Sequence, residues 1–394
     1  MPRVPELDGL RALLAWWVVI YHARGPNFTA AFQIDHGPLA FLSHGELAVD
    51  LFMILSGFVI FFLLDREHEG YGRFLLRRFL RLFPVYALCF VVMLLLQGIY
   101  IDNLEALRPR VTASTYDVMI TNAVEPTHEL SPQLLVHALM LHGPIPLTWL
   151  RNAAGAFLMP AWSISLEWQF YLVAPLIFWL VRGGGPVGVA LCLLMTIVAF
   201  ATRRLWPPMG FDAFLPIRLH TFMVGIASYY ALKWLVTRAE LPRRLLAWAP
   251  LASLSLTAAF LVANVVRLGP NGAIPGPWLP LAIWSFVFAC LLATGLATPG
   301  PAARVTRRLL LWRPLRWLGL VSYSTYLVHW PILTLCTALF RRSLDMPSPM
   351  VSFWLHVAVS FPLIVAASWL LHRTVEAPAM ELGRRLSRRA VASR

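Results

Sequence analysis

Long apolar stretches separated by short polar connections dominate the 394-residue sequence. About 20 consecutive apolar residues form a helix long enough to cross a bilayer, and the pattern predicts about ten transmembrane helices. They are residues 10–21, 47–64, 85–101, 162–181, 187–201, 217–236, 248–265, 279–296, 318–339 and 353–371. Residues 134–150 are an eleventh candidate or a re-entrant segment. The pattern therefore predicts an all-α, polytopic membrane protein.

Arginines are shared unevenly among the connections. Alternate connections hold most of them, at residues 66–81, 182, 238–244 and 304–316. Because basic residues accumulate in cytoplasmic connections, both termini are predicted to be cytoplasmic. Only one of the 33 basic residues is lysine, which indicates a GC-rich bacterial genome and thus a bacterial inner membrane. One transmembrane domain, residues 1–380, is predicted to precede a basic cytoplasmic tail, residues 381–394.

The composition agrees with this class of protein. The chain is 59% hydrophobic and 13% charged, with a mean hydropathy of +0.67. Its net charge of +14 comes from the arginines between the spans, so no nucleic-acid binding is predicted. The four cysteines lie in apolar stretches without metal-ligand spacing. His137 and His142 are five residues apart, which on a regular helix separates the imidazoles by about 140°. No metal is predicted.

The first apolar stretch contains two ionisable side chains, Arg11 and His22, which are energetically unfavourable inside a membrane. They are separated by about three helical turns, a rise of roughly 16 Å, so both point the same way at different depths. Ionisable side chains in a membrane usually face a bundle interior or a water-filled cavity, often at a functional site. The alternative is that Arg11 reaches the headgroups and pairs with Asp8, while His22 caps the helix at the opposite interface.

Five motifs occur in a fixed order along the chain. They are LDGLRA at 7–12 with His22, VDLFMILSGF at 49–58, FLLRRFLRLFP at 74–84, WSISLEWQFY at 162–171 and SYSTYLVHWP at 322–331. From end to end the chain resembles membrane-bound acyltransferase family 3, whose members acylate hydroxyl groups of glycans, lipids or natural products. Trp168 stands where the family often has a second glutamate, which argues against a two-carboxylate mechanism. Ala377 stands where the family often has an arginine.

The resemblance implies an O-acyltransferase that uses acyl-CoA, most simply acetyl-CoA, as co-substrate. Acyl transfer from a thioester to an alcohol needs a base near the hydroxyl group. His22 is the predicted base, because an imidazole with a pKa of about 6.5 accepts protons near neutral pH. Arg11 is predicted to bind a phosphate of coenzyme A while the pantetheine arm extends toward His22. Direct attack and an acyl-enzyme intermediate both stay open.

Two carboxylates are predicted to join His22 as catalytic residues. Glu167 lies about a turn and a half into its span, where it either orients His22, contacts the acceptor or forms a structural ion pair with Arg11 or Arg218. Asp50 begins the second span, where it either orients His22 or is a carboxylate favoured by the start of a helix.

The predicted binding residues form two further groups. Guanidinium groups that can grip the phosphates of coenzyme A are those of Arg77, Arg78 and Arg81. Their alternative role is anchoring to anionic membrane lipids. A polar stripe that can line the acceptor site consists of Tyr323, Tyr326 and His329. Its alternative role is to satisfy contacts between helices.

The resemblance favours a carbohydrate acceptor, either a cell-surface polysaccharide or a lipid-linked glycan. A macrolide or other glycosylated small molecule is the alternative acceptor. A rival of another class is a transporter or lipid flippase in which Arg11, His22, Asp50 and Glu167 form a proton relay. The two classes differ in that only an acyltransferase releases coenzyme A.

Overall fold

The computed structural model describes most of the chain as helix. The described residues are 4–23, 40–67, 69–182, 190, 194–195, 197–198, 201–202, 204–237, 248–259, 278–296, 300–340 and 349–392. In this part of the chain no β-strand occurs. The helices up to residue 181 are α1 (Glu6–Ala23), α2 (Gly45–Arg66), α3 (Tyr71–Leu95), α4 (Gln97–Glu105), α5 (Ala113–His128), α6 (Leu130–Ala138) and α7 (Trp162–Val181). Those beyond it are α8 (Leu215–Thr237), α9 (Trp278–Leu296), α10 (Pro301–Leu310), α11 (Arg313–Leu320), α12 (Ser322–Phe340), α13 (Pro349–Leu371) and, after a π-helical turn (His372–Glu376), α14 (Ala377–Ala392).

The predicted all-α architecture is confirmed for the described residues, and α7 has the predicted bounds. By length and composition, four helices of the described residues are able to cross a membrane: Gly45–Arg66, Tyr71–Leu95, Met159–Val181 and Phe353–Ser387. The predicted spans 187–201 and 248–265 fall partly outside the described residues, so the number of about ten stays a prediction. The predicted tail begins inside α14.

The third predicted span is displaced. We expected residues 85–101, whereas α3 begins at Tyr71, continues through Pro84 and ends at Leu95. The arginines from Arg73 to Arg81 interrupt the apolar pattern but do not oppose a helix, because arginine is a good helix former. They therefore occupy the first half of α3 and not a connection.

Two compact units are present. Unit 1 comprises Met1–His22, Gln33–Val59 and Thr221–Ser322, and unit 2 comprises Ala23–Phe32, Ile60–His220 and Tyr323–Arg394.

In unit 1, α2 and α8 cross at backbone contact. A Cβ atom on Gly57 would overlap the carbonyl oxygen of Phe222, and one on Gly225 would overlap that of Ile54. Small residues allow helices to approach this closely. Next to the crossing, the ring of Phe58 packs edge-on against that of Trp284 at 5.7 Å. The glycines thus let α2 and α8 pack tightly beside an aromatic core.

In unit 2, α3 is the helix around which other elements pack. At its start, the Tyr71 hydroxyl donates to the Leu172 carbonyl of α7 at 2.9 Å. The Phe74 ring meets that of Tyr171 at 6.3 Å. From the other side, Gly383 of α14 lies against Leu80. The arginine-bearing half of α3 is therefore held between α7 and α14.

The chain between α6 and α7 is irregular yet buried. Most side chains from Asn152 to Trp162 are shielded from solvent. Three non-glycine residues here have positive φ angles: Met140 (54°), Asn152 (49°) and Phe157 (58°). Non-helical backbone at membrane depth is tolerated where protein covers it or a cavity adjoins it. The structure shows that the predicted segment 134–150 is no regular eleventh helix.

Candidate active site

Arg11 and His22 lie on the same helix, α1, as the sequence predicts. Arg11 pairs with Asp8 one turn earlier, with Nη1 and Oδ1 separated by 3.5 Å. His22 lies in the last turn, where its ring is 5.0 Å from that of Tyr21. A carboxylate in the first turn and an imidazole in the last turn both suit the helix dipole. Arg11 and His22 therefore lie toward opposite ends of α1, and Arg11 makes the ion pair with Asp8 that the alternative interpretation predicts.

The end of α1 meets the start of α2, the helix that carries Asp50. A Cβ atom on Gly45, the first residue of α2, would overlap the ring of Tyr21. The indole nitrogen of Trp17 donates to the Phe41 carbonyl at 3.0 Å, which ties α1 to the turn before α2. Asp50 is buried in the second turn of α2. The fold of unit 1 thus joins the elements that carry His22 and Asp50.

The three arginines of α3 differ in their partners. Arg77 pairs with Glu67 and, at 2.6 Å, with Glu69. Burial raises the pKa of Glu69, which lies outside the candidate spans, and the Arg77 charge counteracts this rise. Arg81 pairs with Glu376, with Nη1 and Oε1 separated by 3.3 Å. The guanidinium of Arg81 is therefore committed to a buried carboxylate, and that of Arg77 to the exposed Glu67 and the partly buried Glu69.

Arg78 makes a different set of contacts. Its guanidinium carbon lies 5.7 Å from the centroid of the Phe74 ring and 5.8 Å from that of Tyr171. Its buried Nε atom has no hydrogen-bond partner, and no carboxylate pairs with it among the described residues. A cation over aromatic rings is stabilised but keeps its hydrogen-bond donors. Arg78 is thus the arginine of this group that is available for an anionic ligand.

Glu376 is a buried carboxylate to which the sequence analysis gave no role. Its side chain is 1% exposed, at the end of the π-helical turn. It accepts hydrogen bonds from Ser324 Oγ at 2.8 Å and Arg81 at 3.3 Å, and His372 Nδ1 lies 3.1 Å away. π-Helical turns are frequent at functional sites. The signal in the sequence was a single glutamate between an apolar helix and a basic one, which does not reveal its distant partners.

Glu167 belongs to the same cluster of unit 2. It accepts a hydrogen bond from the hydroxyl group of Tyr171. Its charge and that of Glu376 both act on Arg81, whose guanidinium carbon lies 5.9 Å from the Tyr323 ring. The structure therefore brings together predicted residues from three motifs, on α3, α7 and α12.

In the polar stripe of α12, the two tyrosines contact other elements and His329 contacts the backbone of its own helix. The Tyr323 hydroxyl donates to the Leu82 carbonyl at 2.6 Å. The Tyr326 hydroxyl lies 2.7 Å from Ser163 Oγ, and His329 Nδ1 lies 3.1 Å from the Thr325 carbonyl oxygen. These hydrogen bonds are those expected from the alternative in which the stripe satisfies helix contacts.

His137 and His142 are stacked, contrary to the expected separation of about 140°. Their ring centroids are 4.1 Å apart with an interplanar angle of 13°. The reason is that α6 ends at Ala138, so the spacing of a regular helix does not apply. The Tyr86 hydroxyl lies 2.8 Å from His137 Nδ1, and His142 Nε2 lies 3.0 Å from a backbone carbonyl oxygen. Among the described residues, no three histidine, cysteine, aspartate or glutamate side chains form a potential metal site.

The chain is similar to known acyltransferases. A sequence profile described as an acyltransferase domain, that of acyltransferase family 3, matches residues 4–373. Acyltransferase MdmB of Streptomyces mycarofaciens is 28% identical over 97% of this chain and 93% of its own length. Peptidoglycan O-acetyltransferase OatA of Listeria monocytogenes is 27% identical over 96% of this chain, and O-acetyltransferase OatA of Staphylococcus aureus is 24% identical over 84%.

The two OatA proteins are longer than the aligned region. The alignments cover 56% of the Listeria protein and 51% of the Staphylococcus protein, so the chain spans about half their length. No solved structure matches the chain significantly. The family profile, by contrast, covers nearly the whole sequence, including α1 with Arg11 and His22 and the cluster around Arg81. The chain therefore belongs to membrane-bound acyltransferase family 3 and is an O-acyltransferase.

Proposed function

We propose that this enzyme transfers an acyl group from acyl-CoA to a hydroxyl group of a carbohydrate, with acetyl-CoA as the simplest donor. The observation that carries the proposal is that one helix, α1, carries both a cation, Arg11, and an imidazole, His22, about three helical turns apart. Their separation along the helix, roughly 16 Å, suits an extended donor whose phosphates and thioester lie far apart. A carbohydrate provides the hydroxyl group that the reaction needs.

In the proposed mechanism His22 is the general base. Its imidazole takes the proton of the acceptor hydroxyl as the oxygen attacks the thioester carbonyl. The carbon–sulfur bond breaks, the acyl group moves to the oxygen, and the departing coenzyme A thiolate receives the proton from His22. Asp50 orients the imidazole, and Arg11 binds a donor phosphate. The resulting products are an ester and free thiol.

The arginines of α3 supply the second part of the proposal. Arg78 binds an anionic group of the donor, because its guanidinium has no carboxylate partner among the described residues. Arg77 and Arg81 contribute positive charge while paired with glutamates. Glu167 keeps the Tyr171 hydroxyl in place through their hydrogen bond. Together these side chains form a charged cluster in unit 2.

The α12 stripe completes the assignment of substrate-binding residues. Tyr323 contacts substrate through the ring that lies against Arg81. Tyr326 and His329 shape the acceptor side of the site. Hydrogen bonds to neighbouring backbone or side chains hold both of them in place. The membrane is the bacterial plasma membrane, and both termini are cytoplasmic, which agrees with the arginine distribution.

A cell-surface polysaccharide or lipid-linked glycan is the proposed acceptor. The similarity to a protein named peptidoglycan O-acetyltransferase supports this class. A macrolide or other natural-product sugar is the alternative that the family implies. The Streptomyces relative, which is named an acyltransferase, aligns with this chain over 93% of its length. A protein of about this length therefore occurs among the acyltransferases.

The test is release of thiol from acetyl-CoA by the purified full-length protein in detergent. Glycan and macrolide acceptors are offered in separate pools, which decides between the two acceptor classes. We expect wild type to release thiol, His22→Ala to abolish release without unfolding, and Arg11→Ala to raise the apparent KM for the donor. His44→Ala is the matched histidine control, because His44 is partly exposed and pairs with Glu46.

The outcomes separate enzyme from transporter. If folded wild-type protein neither binds acyl-CoA nor releases thiol with any acceptor, donor and mechanism are both wrong. Movement of an unmodified substrate across proteoliposomes would then favour the rival transport function. Release that persists undiminished in His22→Ala would leave the enzyme activity in place and remove His22 as the base.

A further inference from the structure

Two short helices, α10 and α11, connect the predicted spans that correspond to α9 and α12. They contain five arginines, one tryptophan and several leucines, and a second tryptophan, Trp312, lies between them. Both belong to unit 1. Their composition is that of a helix lying in the plane of a membrane interface, with basic and apolar side chains in one short segment.

α10 has three distinct sides. At about 100° per residue, Ala303 and Leu310 fall on one side, and both are buried. Val305 and Leu309 fall on a second side and are 68% and 52% exposed. The third side, next to the apolar one, carries the exposed arginines Arg304 and Arg308. One side thus packs on the protein, whereas an apolar and a basic side remain uncovered.

α11 continues this arrangement. Trp312, between the two helices, is 60% exposed. Arg313 and Arg316 are exposed as well, whereas Leu315 and Gly319 are buried. Tryptophan prefers the boundary between headgroups and acyl chains, because its ring is apolar and its N–H group is polar. The exposed sides of α10 and α11 therefore share the same mixture of arginine and apolar residues.

Within the described part of the chain, four of the five arginines have no acidic partner. Arg307 pairs with Glu6 of α1 at 3.0 Å. Among the described residues no carboxylate pairs with the others, which are Arg304, Arg308, Arg313 and Arg316. Their four positive charges are thus concentrated next to exposed apolar side chains.

We infer that α10 and α11 form a binding surface for anionic phospholipid, with the four arginines on headgroup phosphates and Val305, Leu309 and Trp312 in the acyl layer. Charge complementarity selects an anionic partner. The apolar side chains select a lipid and not a free nucleotide phosphate, because a soluble phosphate leaves them exposed to water. A single anionic lipid surface accounts for both features.

This surface is attached to the first turns of α1. A Cβ atom on Gly9 would overlap the carbonyl oxygen of Leu310, and one on Gly319 would overlap that of Asp8. The Glu6–Arg307 ion pair adds a third contact. Lipid bound to α10 and α11 therefore holds the end of α1 that carries Asp8 and Arg11. The proposed function assigns Arg11 to donor binding. On that basis, anionic lipid that holds this end of α1 lowers the KM for acyl-CoA.

The first experiment measures lipid binding without any substrate. Full-length protein is reconstituted in nanodiscs of phosphatidylcholine and phosphatidylglycerol at 7:3, and the lipids retained after extraction are counted by native mass spectrometry. We expect retained phosphatidylglycerol to be enriched in wild type. Since each arginine near an anionic surface contributes about five-fold in binding, Arg304→Gln/Arg308→Gln should lower the enrichment at least about five-fold.

Two further variants localise the effect. Arg384→Gln/Arg385→Gln is the matched control, because these exposed arginines of α14 already pair with Glu381. It should leave the enrichment near the wild-type value. Val305→Ser/Leu309→Ser keeps the charges and should also lower it, because the apolar side is lost. Equal enrichment in wild type and Arg304→Gln/Arg308→Gln, or an equal loss in the control, would overturn the assigned surface.

A second experiment tests the link to the donor. The KM for acetyl-CoA is compared in nanodiscs with and without phosphatidylglycerol, for wild type and Arg304→Gln/Arg308→Gln. We expect the lipid to lower the KM several-fold in wild type and to have no effect in the variant. An unchanged wild-type KM would overturn the link while the binding surface stands. Absence of thiol release under all conditions would contradict the proposed donor, and the substrate-free lipid counts would still decide the binding surface.

Discussion

At the scale of single residues, the structure separates side chains that look equivalent in the sequence. Arg77, Arg78 and Arg81 lie within five positions of each other, and all three were predicted to bind the donor. The partners of Arg77 in the fold are one exposed and one partly buried glutamate, those of Arg78 are two aromatic rings, and that of Arg81 is one buried glutamate. Because a paired guanidinium must give up its partner to bind a phosphate, the three positions should respond differently to substitution.

Arg78→Gln should raise the KM for acyl-CoA about ten-fold or more, because a hydrogen bond to a charged group contributes about 1.5–3 kcal/mol. Arg77→Gln serves as control and should raise the KM less than Arg78→Gln does, because the Arg77 guanidinium is already paired with Glu67 and Glu69. Steady-state thiol release at varied acyl-CoA concentration measures both values. A larger effect for Arg77→Gln than for Arg78→Gln would contradict the assignment.

Glu376→Ala should destabilise the protein by about 3–5 kcal/mol, because it leaves the Arg81 charge without its buried partner. The double variant Arg81→Met/Glu376→Met should recover much of this loss, since apolar residues often replace a buried ion pair without penalty. Thermal unfolding in detergent measures both. If Glu376→Ala unfolds at the wild-type temperature, the buried ion pair does not hold α3 and α12 to the π-helical turn.

At the scale of helices, close contact depends on positions that hydrophobic periodicity does not reveal. The bounds of α7 were predicted correctly, because its apolar residues outweigh the few polar ones in its first half. The start of α3 was missed because its stabilising contacts come from α7 and α14, not from its own apolar pattern. The stacking of His137 and His142 was missed for a related reason, since it follows from the end of α6 at Ala138.

Gly225→Ala should destabilise the crossing of α2 and α8 by about 1–3 kcal/mol, because overpacking at a fixed backbone contact has this cost. Gly98→Ala is the control: nothing lies within 4 Å of a Cβ atom there. It should be neutral or stabilise the protein by about 0.5–1 kcal/mol, since alanine is the better helix former. Thermal unfolding temperatures of the two variants measure the difference. A lower temperature for Gly98→Ala than for Gly225→Ala would contradict the close approach.

At the scale of the whole molecule, the order of five motifs identified the family, and the profile match over residues 4–373 confirms it. Arg11 and His22 were selected as candidate site residues because a cation and an imidazole are conspicuous in an apolar helix, and their roles stay a prediction. Glu376 was missed because its partner Arg81 lies 295 positions away in the sequence. The local sequence pattern reveals a charged residue in an apolar helix. The side chain that compensates for the burial of Arg81, that of Glu376, is brought close only by the tertiary fold.

The orientation of the whole chain follows from its arginines and can be tested with single cysteines. Basic connections are predicted in the cytoplasm, which puts α14 inside and the polar residues around α5 outside. Ser114 of α5 and Arg384 of α14 are both exposed. In intact cells, a membrane-impermeant maleimide should label Ser114→Cys, whereas Arg384→Cys should react only after permeabilisation. The described native cysteines are buried and give a low background. The reverse labelling pattern would mean that the chain has the opposite topology. In the predicted arrangement an even number of spans separates α14 from the lipid-binding surface of α10 and α11, so both lie on the same side of the membrane. The opposite topology would therefore place that surface on the outer face.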